Sequence, residues 1–599
     1  MANTSYRYPL SESQMEVWLL SQTNADANCS CNEIATLEFD GTIDCGNLEK
    51  SLQQVVQRND CLRTTFHHLG EYAEVHAELD PVFVFHDWSS LDAESAEQRH
   101  RELVSLEGKT PFELVEGPLL RLHFQKLSST RSLLTVTAHH VVLDGWSLWV
   151  FCRDLGHFYD ARSKGIAPQL PEPQQYTTYS RLMQDYQSSE KGKREARYWR
   201  SQFGEQFPTL DLPTDRVRPP LKTYAGGMVE TRVEPETVKR LRTVAARNRS
   251  SFFQIMLAGF GAYLSRISGQ DDFTVTMPTA GQSALEQHDL IGHCVNDLPI
   301  RFHIDSPRDL LELLQETRTR VINALDHQRY SIGAMIREFA PQRDPSRNPI
   351  ATVEFNIDPE IKSDEIGFEG LGVRLVVEPR AFEGKEMFVN GILREDGSLD
   401  IQCQYNSDLF DEETVTNHLL SYQALLESFL DNPAAPVSGL NLLSREQQQK
   451  TIVEWNRTGM DYDTRLCVHE VIQQVVSGAS ERVAVEYGER SLTYRQLENL
   501  SNQVARFLLQ KGVAGGDLVG VAMNRSENML VTLLGIWKAG AGYVPMDPDY
   551  PADRLQYMCD HSRLSRVISE SGLLERVSQF GKPVICMDES FDLIQGLSD

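Results

Sequence analysis

The sequence predicts a mixed α/β (α+β) protein: two lobes followed by a shorter alternating α/β piece. Three observations predict it. Proline and glycine punctuate the 599 residues at three places, a buried strand runs directly into an amphipathic helix in the first segment, and strand and helix patterns alternate beyond residue 467. The first break is the Pro-rich stretch Gly165–Gln175. The second is Leu212–Pro220, where closely spaced prolines cannot continue a helix. The third begins at Asp431–Pro436 and continues through Ser444–Lys450 to Asn456–Gly459. The predicted lobes are therefore 1–178 and 179–445, with a linker at 446–466 and a C-terminal piece at 467–599.

Composition excludes several classes. At 41% apolar residues the chain can bury sizeable cores, and a net charge of −27 disfavours a nucleic-acid binder. No basic-then-apolar leader opens the sequence, and no window approaches the roughly 18–20 apolar residues of a membrane span. The ten cysteines are scattered, and Cys29 and Cys31 have no second pair to complete a zinc site. The expectation is a cytoplasmic protein with reduced thiols, no metal and no membrane or nucleic-acid partner.

In the first lobe, Arg131–Ala138 reads as a buried strand. From Ser147 onward, Leu148, Phe151, Cys152, Leu155 and Phe158 make one helical face. Between them lies a strand-to-helix junction holding His139, His140, Asp144, Gly145, Trp146 and Ser147. Neighbouring strand residues point to opposite faces, so only one histidine of the pair should meet a cavity. A histidine there can accept a proton near neutral pH, and Gly145 permits close backbone approach to a ligand. Three other readings remain open at this point. The histidines could be satisfied core groups, or, with Asp144, metal ligands, which their opposed directions disfavour. Ser147 could be a hydrolase nucleophile, though it lacks a Gly-x-Ser-x-Gly elbow.

The motif His139-His140-x-x-x-Asp144-Gly145 resembles the signature of nonribosomal peptide synthetase condensation domains, members of the chloramphenicol-acetyltransferase-like superfamily. Further runs are similar to that family's blocks and stand in its order: Ser11–Leu20, Arg58–Phe66, Ile291–Arg301, His327–Tyr330 and Arg343–Pro349, with Tyr176–Tyr179 a looser fit. The resemblance implies two chloramphenicol-acetyltransferase-like lobes in a V, crossed by a tunnel. An upstream acyl or peptidyl carrier protein would present a thioester on phosphopantetheine at one mouth. A downstream peptidyl carrier protein would present an aminoacyl thioester at the other, and the free amine would attack the acyl carbonyl. The chain itself would bind no cofactor.

By the same resemblance His140 is the functional histidine and His139 a structural one. An α-amino group with pKa ~7.7–8.0 is partly neutral at cytoplasmic pH, so His140 need only position it and take up a proton. The Gly145 N–H is the expected oxyanion donor. Asp144 is expected to hold the turn through a buried arginine, Arg301 first or Arg58 second. Trp146, Ser147, Ser346 and Asn348 are expected along the tunnel, while Trp18 and Trp199 read as packing. Glu16 stands where most members have arginine, which suggests the subgroup taking polyketide or fatty-acyl donors. Heterocyclisation domains replace the His pair with Asp, and epimerisation domains precede a different module boundary.

In the C-terminal piece, Thr493 and Gln496 form a capping box for a helix striped by Leu497, Leu500, Val504 and Leu508. Strand-like 518–523, 566–569 and 583–586 alternate with helix 526–538. Leu492–Leu497 together with Trp537–Asp547 resembles the opening of an adenylation domain. That family's phosphate loop and catalytic lysine do not appear before Asp599, so no amino-acid activation is expected without the remainder of that domain. Two alternatives stay open: a CoA-dependent acyltransferase of the same superfamily, and a catalytically silent docking domain.

Overall fold

Strands buried on one or both faces build the sheets of a computed structural model that describes residues 5–204, 207–305, 308–339, 344–358 and 365–599. The chain divides into two units, Met1–Trp455 and Asn456–Asp599. In the first unit, a five-stranded sheet runs in the order Gly372–Val377, Asn32–Asp40, Arg131–His139, Leu120–Lys126, Val82–Asp87. Neighbours are antiparallel except the last pair, which is parallel. The central strand Arg131–His139 is buried from Ser132 onward, as its run of apolar and threonine residues requires. Helix Gly145–Ser163 covers this sheet through Phe151, Cys152 and Leu155, all fully buried.

A second, six-stranded sheet runs in the order Val295–His303, Asp272–Ala280, Val353–Asp358, Met387–Leu393, Leu399–Asn406, Gly226–Val233. Helices Phe252–Ser268, Leu310–Asp326 and Glu412–Asp431 contribute its core, which includes Phe260, Leu314 and Tyr422. Two segments tie this lobe to the first. The loop after Ala280 sends Leu290, Ile291 and Cys294 into the first lobe's core. The strand Gly372–Val377, which follows a strand of the second sheet in the chain, is hydrogen-bonded into the first sheet, Val377 opposite Ala35. The chain then returns, with Ala225 bridged to Phe382. Chain order therefore does not keep the lobes apart, because residues beyond 178 complete the first sheet.

The second unit holds four parallel strands in the order Gly542–Pro545, Leu518–Ala522, Arg566–Ser569, Val584–Cys586. Helix Tyr494–Gln510 starts at the Thr493 capping box with both reciprocal bonds made. Among the described residues, no helix is long and apolar enough to cross a membrane.

Candidate functional site

The junction is fixed by Asp144. This fully buried residue caps helix Gly145–Ser163, accepting the Ser147 N–H at 2.8 Å. Its carboxylate also accepts the Cys294 N–H at 2.9 Å and the Gln282 amide at 3.2 and 3.1 Å. The Ser147 hydroxyl donates to the Gly292 carbonyl at 2.8 Å and accepts the Gly292 N–H at 3.0 Å. Gly292 must lack a side chain, because a Cβ there would lie 1.9 Å from the Tyr176 ring. One turn of the first lobe thereby grips the 281–294 loop from the second.

This geometry corrects two expectations. Among the described residues Asp144 has no arginine partner: Arg301 pairs with Asp272 at 2.6 Å, and Arg58 lies 3.5 Å from Asp154, farther along the same helix. The physical reason is that a carboxylate at a helix N-terminus is satisfied by backbone and amide donors and the helix dipole, so it needs no cation. Ser147 is not a tunnel residue either, since its hydroxyl is fully buried in the grip on Gly292. Trp146 is half-buried and donates its indole N–H to the His288 carbonyl at 3.0 Å on that same loop. Ser346 turns back on Asp344, with its hydroxyl 2.6 Å from the carboxylate. Asn348 accepts from Lys222 at 2.6 Å and donates to the Gly384 carbonyl. Ser346 and Asn348 line one pocket with Arg218, Lys222 and Lys385, while Arg343 of the same motif lies outside the described residues.

The two histidines diverge as strand geometry requires. His139 is fully buried, its Nδ1 accepting the Val141 N–H and its Nε2 donating to Ser21 Oγ at 3.2 Å. Burial first, then the charges of His140 and Arg121, push its pKa down to about 3, so it stays neutral. His140 remains 22% exposed at its side chain, which leaves it the reachable member of the pair. Its Nε2 is 3.3 Å from Glu33 Oε1, and its Nδ1 is 3.2 Å from His293 Nδ1, with the two rings edge to face. Gly145 begins the helix beside it. A Cβ there would meet nothing within 4 Å, and the first N–H groups of a helix have no intrahelical acceptor.

Sequence reasoning gave no role to Glu33, Arg380 or His293. Glu33 forms an ion pair with Arg380, and both are buried or nearly so. Burial, the largest influence, pushes the Glu33 carboxyl up, but the Arg380 and His140 charges outweigh it and hold the pKa below the ordinary value. His293 is held neutral, its pKa well below that of a free imidazole, by burial and then by its two histidine neighbours. A glutamate near the start of a strand buried from Asn32 to Leu37 was the one signal available for the first of these. Beyond them, Lys385 bridges Asp297 at 2.7 Å and Glu354 at 2.8 Å.

Comparison with known proteins follows the same division. Residues 4–452 match the family described as Condensation domain, and residues 472–593 match AMP-binding enzyme. The chain is 32% identical over 591 residues to a linear gramicidin synthase protein of Brevibacillus parabrevis, covering 98% of this chain and 12% of that protein. It is 31% identical to surfactin synthase subunit 1 of Bacillus subtilis (strain 168), covering 97% and 16%. The chain thus spans about a tenth of the length of three such curated relatives. Among solved structures, holo-AB3403, a four-domain nonribosomal peptide synthetase bound to AMP and glycine, superposes over 98% of this chain and 46% of its own, with TM-score 0.81 at 20% identity. The first condensation domain of the calcium-dependent antibiotic synthetase covers 73% of this chain and 99% of its own, with TM-score 0.64 at 19% identity.

Proposed function

The chain belongs to the condensation-domain family of nonribosomal peptide synthetases, with the N-terminal part of an AMP-binding domain after it, and from that premise we propose that its first unit joins two carrier-bound substrates through an amide bond. The donor is an acyl thioester on the phosphopantetheine of an upstream carrier protein, and the acceptor is an aminoacyl thioester on a downstream one. The observation that carries this reading is the partly open His140 imidazole between Glu33 and His293, beside the side-chain-free start of a helix at Gly145. His140 takes up the proton released as the amine nitrogen bonds to the carbonyl carbon. The Gly145 N–H stabilises the oxyanion, and the carbon–sulfur bond then breaks to release the donor thiol.

The test is an intact-mass assay with an acyl-carrier donor and an aminoacyl-carrier acceptor. Wild type should lengthen the acceptor-bound chain, and His140→Ala should lose at least about a hundredfold in rate while melting normally. Near wild-type amide formation by His140→Ala would refute the assignment. An acyl-CoA donor run in parallel separates this reading from a CoA-dependent acyltransferase, which would prefer that donor.

A further inference from the structure

We propose that Glu33 and Arg380 are positioning residues for His140: a carboxylate of the first lobe, held by a guanidinium that the second lobe's returning strand delivers, orients the imidazole and stabilises its protonated form at Nε2. This rests on reading His140 as the group that handles the amine.

The register places these groups together. Asn32 pairs with His139 and Glu33 with Ala138, and the His140 N–H continues the ladder to the Cys31 carbonyl at 2.7 Å. Glu33 therefore lies at the same end of the sheet as His140, with Oε1 3.3 Å from its Nε2. On the other side of Asn32–Asp40, the strand Gly372–Val377 pairs as far as Ala35, and the Glu378 N–H then bonds to the Ile34 carbonyl at 3.0 Å. Two residues later Arg380 reaches Glu33 and hydrogen-bonds its Oε1. A buried ion pair is weak evidence for stability, since desolvation offsets its attraction, so its place beside the reactive imidazole asks for another role.

A carboxylate beside an imidazole nitrogen stabilises a proton on it, and Glu33 Oε1 lies 3.3 Å from His140 Nε2. Nδ1 is engaged in the hydrogen bond with neutral His293, which leaves Nε2, beside Glu33, as the atom that exchanges a proton. Among the described residues, the titratable and charged groups that interact with His140 or with its ion-pair partner include Glu33, Arg380, His139, His293 and Asp297. Two of these are neutral imidazoles, which leaves Glu33 and Asp297 as anions and Arg380 as the cation. When the attacking amine gives its proton to Nε2, the new imidazolium lies against Glu33. The proton can then pass to the departing thiolate, and the ring returns to its starting state.

Histidine C2-proton exchange read by mass spectrometry reports the titration midpoint of His140 in the whole chain, independently of catalysis. Glu33→Gln removes the adjacent anion and should move that midpoint down by about one pH unit. Arg380→Gln removes the cation and should move it up by a similar amount. A loss of packing alone would not produce opposite signs. Glu33→Asp, which keeps the charge, should stay nearer to wild type than Glu33→Gln. In the condensation assay, Glu33→Gln should lose about tenfold in rate, less than the loss of His140 itself, because the proton acceptor remains and only its orientation is loosened. Midpoints that stay put in both Gln variants, or move in the same direction, overturn the proposal. Retained condensation by His140→Ala would instead remove the reaction reading, and the exchange data would still decide whether Glu33 and Arg380 set the state of the ring.

Discussion

Replacing Asp144 by alanine removes the acceptor for three separate donors, which makes its cost a direct test of how the junction is held. The Ser147 N–H at 2.8 Å, the Cys294 N–H at 2.9 Å and the Gln282 amide at 3.1 Å all end on one fully buried carboxylate. Loss of a helix N-cap costs about 1 kcal/mol, and each buried donor left unsatisfied costs about 1–3 kcal/mol. Water entering the vacated space would recover part of this, so Asp144→Ala should destabilise the first unit by about 3–5 kcal/mol. Asp144→Asn should cost less, about 2–3 kcal/mol: its oxygen keeps the Ser147 N–H and Gln282 can rotate to offer Oε1, now unpaired, to the new NH2 group, so only the Cys294 N–H is left facing a donor. Arg301→Ala should cost no more than about 1 kcal/mol, since its pair with Asp272 is about one-third exposed on both sides. The two units can unfold separately, so the measurement is hydrogen exchange along a urea series, followed on peptides from Gly145–Ser163. Asp144→Ala within about 1 kcal/mol of wild type, or Arg301→Ala as costly as Asp144→Ala, would sink the neutral-donor account.

Three further outcomes follow from other groups. Glu16 accepts the Gly333 N–H at 2.7 Å, and burial raises its pKa to about 8 despite that bond. Between about pH 4.5 and 8 the folded chain therefore holds a proton that the unfolded chain has released, and stability falls as pH rises through that window. Glu16→Gln should remove the slope and gain about 2–4 kcal/mol at pH 8.5, read from urea midpoints at several pH values. Gly292→Ala drives a Cβ into the Tyr176 ring, so the 281–294 loop should lose exchange protection and proteolysis there should quicken by at least about tenfold. Lys385→Met leaves Asp297 and Glu354 without their shared cation and should cost about 3–5 kcal/mol, whereas adding Asp297→Asn and Glu354→Gln should recover much of it, both read from urea midpoints.

The parts of this molecule that were legible in the sequence are those whose cause is local. The strand running up to the histidine pair, the helix that follows it, the opposed directions of the pair and the Thr493 capping box each depend on residues within a few positions of one another. The partners of those groups were not legible, because a sheet can bring any two segments together. Asp144 was expected to need an arginine because a buried charge usually needs a counter-charge. The fold instead supplies two backbone N–H groups and an amide, and two of these three donors lie more than 130 residues away, on a loop whose sequence gives no sign of where it folds. The same holds for Glu33 and Arg380, which are 347 residues apart and meet only because a strand following part of the second sheet is paired at the edge of the first. A condensation site assembled this way depends on both lobes at once. His140 belongs to the first lobe, His293 follows a strand of the second sheet, and Arg380 follows the strand that joins them. Any movement that parts the lobes must therefore disturb the surroundings of His140 itself, which is why the titration of this one imidazole should register lobe opening before the fold is lost.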